Sequence, residues 1–376
     1  MRGRYGIFIG MIVLLVITYF SFISKKPEIN SFQDHSPKKL SLLEKTFITE
    51  AVVGGIGDIL IHSYVYNDAY QNGTYNFTKM FEPIRSLLSS PDFLIANQES
   101  IAGGVKLGVS TYPQFNTPYE ITDALLYAGV DMVTNANNHT LDKGEQGVLS
   151  AISYYEQVGM PYTGMFKNEA DRQKIRVMSV NGIQLAVLSY TYGTNGIPVP
   201  KGKSYLVNLL DEELMVKDIQ RAKELADVII LSVHWGNEYQ RIPTDAQKHL
   251  AQKLLEAGAD IIFGHHPHVL QPIERLPLSD GRTGVVFYSL GNFLSGQWKD
   301  YKDLGGMGTV TIKKTVNKQG TSIDITDVQF YPTYVYHNNY RNYRVYPLEE
   351  AVSLGIAPYP VESVMKHLFS MKNEQQ

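Results

Sequence analysis

The sequence predicts an α/β domain behind an N-terminal transmembrane helix, and three observations carry that expectation. First, four segments share one layout, in which an Asp precedes a short apolar run and ligand-type side chains follow it: Asp92 leads to Asn97-Gln98-Glu99, Asp131 to Asn138-His139, Asp227 to His234-Trp235-Gly236, and Asp260 to Gly264-His265-His266-Pro267-His268. Second, three of these segments are preceded by stretches with apolar residues three and four apart, Ile121 to Tyr127, Glu212 to Leu225 and Ala246 to Leu255, the spacing of amphipathic helices. Helices alternating with short buried strands make an α/β sheet, and ligands in such sheets gather at the carboxyl ends of the strands. Third, Arg2-Gly3-Arg4 is followed by an apolar stretch from Tyr5 to Ile23, about the length that spans a bilayer.

Taken in order, residues 1–24 read as an uncleaved signal anchor. Ser21-Phe22-Ile23-Ser24-Lys25-Lys26 offers no small-residue cleavage site, and there is no cysteine for lipid attachment. The short basic start places the body outside the cytoplasm, as a single-pass protein of the cell membrane, although Lys25, Lys26, Lys38 and Lys39 pull the other way under the positive-inside rule. Residues 25–46, polar and carrying Pro27 and Pro37, form a linker. The domain is expected over 47–332. It starts with a strand at Ala51-Val52-Val53 that ends in Gly57-Asp58, followed by helical spacing from Phe81 to Leu88. Asn181-Gly182 between Ile175–Val180 and Gln184–Tyr190 is a strong hairpin signal. Val285 to Leu290 reads as a buried strand ending in Gly291-Asn292-Phe293, and strands at Gly308–Lys314 and Ser322–Tyr331 flank a polar loop. A tail is expected over 333–376, with a last helix from Val361 to Met371.

Composition narrows the function. A net charge of -3 with scattered Lys and Arg leaves no footprint for nucleic acid. With no cysteine, any metal site must be built from His, Asp, Glu and Asn, which suits zinc, manganese or iron.

The ligand-type residues at the strand ends are Asp58, Glu99, Asn138, His139, His234, His266 and His268. Each has a plain alternative reading. Gly57-Asp58 suits a turn, Asn97-Gln98-Glu99 a strand-end cap, and His234 a core histidine bonded to a carbonyl. His265-His266-Pro267-His268 is different, because three imidazoles in four residues repel when protonated and pack badly when apolar. Two carboxylates, an amide oxygen and several imidazoles suffice for a pair of divalent cations bridged by one carboxylate, and such pairs promote hydrolysis of phosphoesters. His62, His265, Asn97, Asp142, Glu238 and Asn292 lie beside these residues, and their part in the site stays open at this point. A zinc peptidase is disfavoured by the lack of His-Glu-x-x-His.

The order of motifs resembles the poly-gamma-glutamate capsule synthesis proteins of the CapA/PgsA type. It rests on Gly57-Asp58, Asn97-Gln98-Glu99, Asn135-Ala136-Asn137-Asn138-His139 with Asp142 and Gly144, His234-Trp235-Gly236-Asn237-Glu238, Gly264-His265-His266-Pro267-His268 and Tyr288-Ser289-Leu290-Gly291-Asn292-Phe293, over roughly residues 50 to 315. That family is similar to the calcineurin-like metallophosphoesterases. The resemblance therefore implies a metallophosphoesterase-like α/β/β/α sandwich with a dinuclear site. It also implies that Asp58, Glu99, Asn138, His234, His266 and His268 hold metal, with Glu99 bridging, and that His139 acts on the leaving group. Leu60 stands where the metallophosphoesterase pattern has a histidine, and Glu99 where it has an Asp. The implied role is assembly or export of an anionic polymer beside membrane-bound polyglutamate synthetase subunits, either as a phosphoesterase-type enzyme or as a non-catalytic accessory that binds the polymer and the synthase complex.

Overall fold

The computed structural model describes residues 45–373, so the expected anchor and nearly all of the linker lie outside the described residues. Among those described, no helix is long and apolar enough to cross a membrane. The strands are β1 (Phe47–Leu60), β2 (Tyr70–Gln71), β3 (Thr74–Tyr75), β4 (Phe93–Gln98), β5 (Met132–Thr134), β6 (Tyr162–Thr163), β7 (Arg176–Val180), β8 (Ile183–Thr191), β9 (Val228–His234), β10 (Ile261–His265), β11 (Leu270–Pro277), β12 (Thr283–Leu290), β13 (Asn292–Ser295), β14 (Leu304–Asn317), β15 (Gly320–Asn338) and β16 (Arg341–Pro347). They build two large sheets. One runs β16-β15-β14-β1-β4-β5-β6 with β13 alongside β1, the other runs β11-β12-β10-β9-β8-β7, and β2 and β3 pair on their own. β4, β5 and β6 continue from β1 in parallel, and β8, β9, β10 and β12 form the parallel centre of the second sheet.

Alternation along the strands sets the layers. In β9, Val228 and Ile230 pack with Val53, Phe93 and Ile95 of the first sheet, while Ile229, Leu231 and Val233 pack with Met215 and Ile219 of helix α1 (Glu212–Lys223) and Leu254 of helix α2 (Asp245–Glu256). In β4, Leu94 and Ala96 face the other way, against helix residues Ile121, Leu125, Val148 and Ile152. The period of two thus splits each sheet into an inner face and a helix-covered outer face. The result is a four-layer α/β/β/α sandwich.

The expected hairpin is present, with Asn181 and Gly182 both at positive φ (49° and 80°) between β7 and β8, as a tight type I′ turn requires. Two boundaries differ from the sequence reading. The helix Gly144–Val158 went unforeseen, and the supposed tail begins inside β15, whose residues 333–338 pair with β16. The sheet therefore runs on past Pro332. That proline stands where β15 is paired with β14 alone, just before pairing with β16 starts at Thr333, and strands tolerate proline along an open edge. The last helix spans Val361–Leu368, packing Val364 and Leu368 into the inter-sheet core.

Candidate metal centre

The inner-face alternation that buries Val228, Ile230, Ser232 and His234 on β9, and Ile261, Phe263 and His265 on β10, ends on imidazoles at the carboxyl edge. His234 and His265 are register partners on adjacent strands, so both project between the sheets. Across from them, β1 leaves β14 after Ile56 and pairs with β13 from Asp58 onward, with a register shift beside Asp58. Such bulges re-aim side chains, and here the strand delivers Asp58 to the edge facing β10. Two glycines permit the approach. A Cβ on Gly57 would lie 2.1 Å from the Gly291 carbonyl oxygen, and one on Gly264 would lie 2.1 Å from that of Tyr288.

Asp58 is fully buried, and its two oxygens have different partners. Oδ1 accepts from Asn97 Nδ2 at 2.8 Å and meets His265 Nδ1 at 3.0 Å. Oδ2 accepts from the His266 backbone N–H at 3.3 Å and lies 3.2 Å from His268 Nδ1. Asn97 and His265 therefore orient Asp58, while its second oxygen faces the centre. His266 and His268 both have positive φ (95° and 58°), a local backbone cost that persists only where the surroundings impose it. The turn they make sends both rings inward.

Glu99, just past β4, is fully buried and neither carboxylate oxygen has a hydrogen-bond partner among the described residues. Its Oε1 lies 3.4 Å from His234 Nε2 and 3.7 Å from His268 Nε2. His234 Nε2 also lies 2.9 Å from Asn138 Oδ1. Two donor sets result, Asp58–Glu99–His268 and Glu99–His234–His266, each with its ligand atoms within 4.8 Å of one another. They share Glu99, and Asn138 joins the second through His234. A buried carboxylate without a partner is strongly unfavourable unless a cation meets it, so these residues fit a pair of divalent cations.

Electrostatics point the same way. Burial pushes Glu99 up to about 8. Burial works to raise Asp58 as well, but its bonds to His265 and His268 hold it well below the usual carboxylate range. Burial drives His234 well below its ordinary value and His266 down to about 2, leaving both as neutral, ligand-ready imidazoles. Burial also disfavours the charged form of His268, yet Glu99 and Asp58 outweigh it and raise His268 to about 9. Near neutral pH the metal-free centre thus holds protons on Glu99 and His268 that a cation must displace. Cation uptake is therefore expected to release up to two protons, with affinity climbing up to about tenfold per pH unit for each proton displaced and levelling off above pH 9. Calorimetric titration in buffers of different ionisation enthalpy checks this, and uptake without proton release would contradict it.

The run from Asn135 to Gly144 contributes a separate pair. His139 Nδ1 meets Asp142 Oδ2 at 2.7 Å, and the same oxygen accepts the Phe115 backbone N–H at 2.6 Å. Asp142 is thus a partner of His139 and belongs to neither donor set. Asn137 shapes the loop by accepting the His139 N–H at 3.0 Å and donating to the Gln98 carbonyl at 3.0 Å. Asn135 reaches Tyr155 Oη at 3.2 Å. Asn292 donates to the carbonyls of Lys302 and His268 at 2.8 and 3.3 Å, bracing the histidine turn. His62 is drawn aside, since its Nδ1 accepts the Gly296 N–H at 3.2 Å and it joins no donor set among the described residues. Glu238 is exposed and lies within reach of His266 and His268.

Asn195 went unread in the sequence, although Asn195-Gly196 is a turn signal. Its Oδ1 accepts from Asn138 Nδ2 at 3.3 Å and its Nδ2 approaches His139 Nδ1 at 3.4 Å. A cavity of about 440 Å³ opens over the centre, with His139, Asn138, Asn195, His268, Glu238 and Tyr239 among its walls and, among the described residues, no Lys or Arg lining it.

Comparison with known proteins agrees with the motif order. The chain is 29% identical to the PGA biosynthesis protein CapA of Bacillus subtilis (strain 168), over 86% of this chain and 80% of that protein. It is 35% identical to the capsule biosynthesis protein CapA of Bacillus anthracis, over 49% of this chain and 45% of that protein. A probable polyglutamine synthesis accessory protein of Mycobacterium tuberculosis (strain ATCC 25618 / H37Rv) is 23% identical over 46% of each chain. Among solved structures, a 5'-nucleotidase precursor of Thermus thermophilus aligns over 84% of this chain and 60% of its own, with 12% identity and a TM-score of 0.46. The sequence profile of the family described as bacterial capsule synthesis protein PGA_cap matches residues 53–297, which span the whole site from Asp58 to Asn292, and the chain belongs to that family.

Proposed function

We propose that this chain is a membrane-anchored, extracytoplasmic capsule-polymer protein whose centre is a metallophosphoesterase-like hydrolytic site. The observation that carries the reading is the pair of donor sets sharing Glu99, with the His139–Asp142 pair in the wall of the same cavity. Two divalent cations, of manganese, zinc or iron, would there acidify a water and polarise a phosphoryl oxygen. Glu99, Asp58 and His268 would hold one; Glu99, Asn138, His234 and His266 the other. Asn97 and His265 fix Asp58, so its ligand oxygen is set before any cation arrives.

The remaining chemistry falls to His139. With Nδ1–H donated to Asp142, Nε2 is the atom left to pass a proton to a departing oxygen. Asp142 in turn is held by the Phe115 N–H, which fixes the tautomer and the ring direction. With no Lys or Arg among the described residues of the cavity wall, recognition of an anionic group falls to the cations themselves. The N-terminal apolar segment supplies the anchor, and membrane-bound polyglutamate synthetase subunits are the proposed neighbours; the relatives' names support a part in polymer synthesis.

A second reading makes the protein a non-catalytic accessory that holds anionic polymer at the same centre and docks on the synthase, and the accessory name of the mycobacterial relative favours it. Complementation of a capsule-negative strain separates the two. Under the enzyme reading, a His139→Ala chain that reaches the membrane at normal abundance restores less than about a tenth of the polymer, because a positioned acid or base is worth about 10²- to 10⁴-fold in rate and His139 belongs to neither donor set. Full restoration would remove the hydrolytic reading.

A further inference from the structure

The two donor sets are unequal. The position bounded by Glu99, His234 and His266 also has Asn138 Oδ1, 2.9 Å from His234 Nε2, giving it four protein donors. The position bounded by Asp58, Glu99 and His268 has three. Leu60, on the cavity wall above Asp58, offers no donor atom. His62 is nearby, but its Nδ1 is committed to the Gly296 N–H and lies 3.1 Å from the Leu60 carbonyl.

Among the described residues, Glu238 is the remaining carboxylate within reach. Its oxygen lies within 4.8 Å of ligand nitrogens of both His266 and His268, and the residue lines the same cavity. Its placement is built into the loop after β9. Gly236 (φ 82°) passes against Gln247, where a Cβ would meet the side-chain amide at 2.7 Å. Tyr239, itself at φ 64°, donates its N–H to the Pro267 carbonyl at 2.8 Å, tying this loop to the histidine turn. The Gln240 carbonyl accepts from Gln271 Nε2 at 2.7 Å. The loop therefore holds Glu238 over the two imidazoles on the solvent side of the centre.

We propose that Glu238 is the fourth protein donor to the cation held by Asp58, Glu99 and His268, reaching it from the cavity mouth and making this the more weakly held and exchangeable of the two cations. Its exposure sets it apart from the other ligands, which are all buried. A carboxylate on the solvent side keeps its alternative partner, water, so it can leave the cation when an incoming anionic group takes its place. The assignment rests on the two-cation reading above.

The test is calorimetric titration of the full chain in mild detergent with Mn²⁺ alone, alongside metal content after dialysis. The wild type is expected to take up two equivalents. Glu238→Gln is expected to keep the first at unchanged affinity and to weaken the second at least about tenfold, in line with the loss of one oriented ligand. Its metal-free unfolding midpoint stays that of the wild type, because the side chain is exposed. Asn237→Ala, which disturbs the same loop without touching the carboxylate, keeps both affinities. Two equivalents at wild-type affinity in Glu238→Gln would overturn the assignment and leave the two-cation reading standing, as would equal loss in Asn237→Ala. Fewer than two equivalents in the wild type would overturn both.

Discussion

Glu99→Gln is expected to abolish cation uptake at both positions while making the metal-free protein more stable. The shared carboxylate belongs to both donor sets, so its removal strikes both cations at once. Even an outer partner of a metal ligand is worth about 10- to 100-fold in affinity, so loss of this bridging charge should exceed about 100-fold at each position. The stability gain follows from the same burial. Neither Glu99 oxygen has a hydrogen-bond partner, and its pKa stands at about 8 in the folded protein against 4.5 ordinarily. A raised carboxyl contributes full stability only below its unfolded pKa and loses it as pH rises through the folded value. The metal-free wild type should therefore lose stability between about pH 4.5 and 8, and the variant should not. At the upper end the variant should be the more stable by about 1–3 kcal/mol, the usual penalty of an unsatisfied buried polar group, with the two converging near pH 4. Urea denaturation in the presence of a chelator, across that range, measures it. Equal stability at all pH values would mean that Glu99 finds a partner in the metal-free state.

This opposition between stability and cation binding explains why strand ends were the readable part of the site. A buried polar cluster stands out against apolar runs such as Asp227 to Leu231 and Asp260 to Phe263, and both the strands and their carboxyl-end ligands follow from that contrast. Which histidine of His265-His266-Pro267-His268 does what was not legible from the residue pattern itself; the assignment of His266 and His268 to metal came from the resemblance alone. The answer depends on a backbone reversal: His265 continues the β10 alternation and meets Asp58, whereas positive φ at His266 and His268 turns the next rings toward Glu99. No side-chain pattern encodes that turn, because neither residue is a glycine. The part of Glu238 was equally hidden, since it depends on Tyr239 reaching Pro267 across two loops.

The errors in the fold have local causes. Gly144 and Gly147 in the first turn of the helix Gly144–Val158 weaken its intrinsic preference, and only the spacing of Val148, Ala151, Ile152 and Tyr155, all buried, marks its apolar face. The end of the domain was misplaced because Pro332 and the Tyr- and Asn-rich stretch after it look like loop. Yet Tyr343 and Val345 of β16 are buried in the core. Burial against helices on the outer face outweighed a composition that favours turns.

His139→Ala is expected to lower phosphoesterase turnover by about 10²- to 10⁴-fold, the span associated with a positioned acid or base, while leaving two cations bound. The separation follows from geometry. His139 belongs to neither donor set, and its ring is fixed by Asp142 at 2.7 Å and stands edge-on to Phe115 at 4.7 Å between centroids. Its removal therefore takes away a proton carrier without taking away a ligand. Asp142→Asn should act through His139 instead. An asparagine amide can no longer serve as the charged acceptor of Nδ1–H, so the ring direction and tautomer are held less firmly and turnover should fall by less than in His139→Ala, with both cations retained. Metal content and turnover of the two variants, read together, decide the matter. Loss of metal in His139→Ala would make His139 a ligand, whereas unchanged turnover with metal retained would remove His139 from the chemistry.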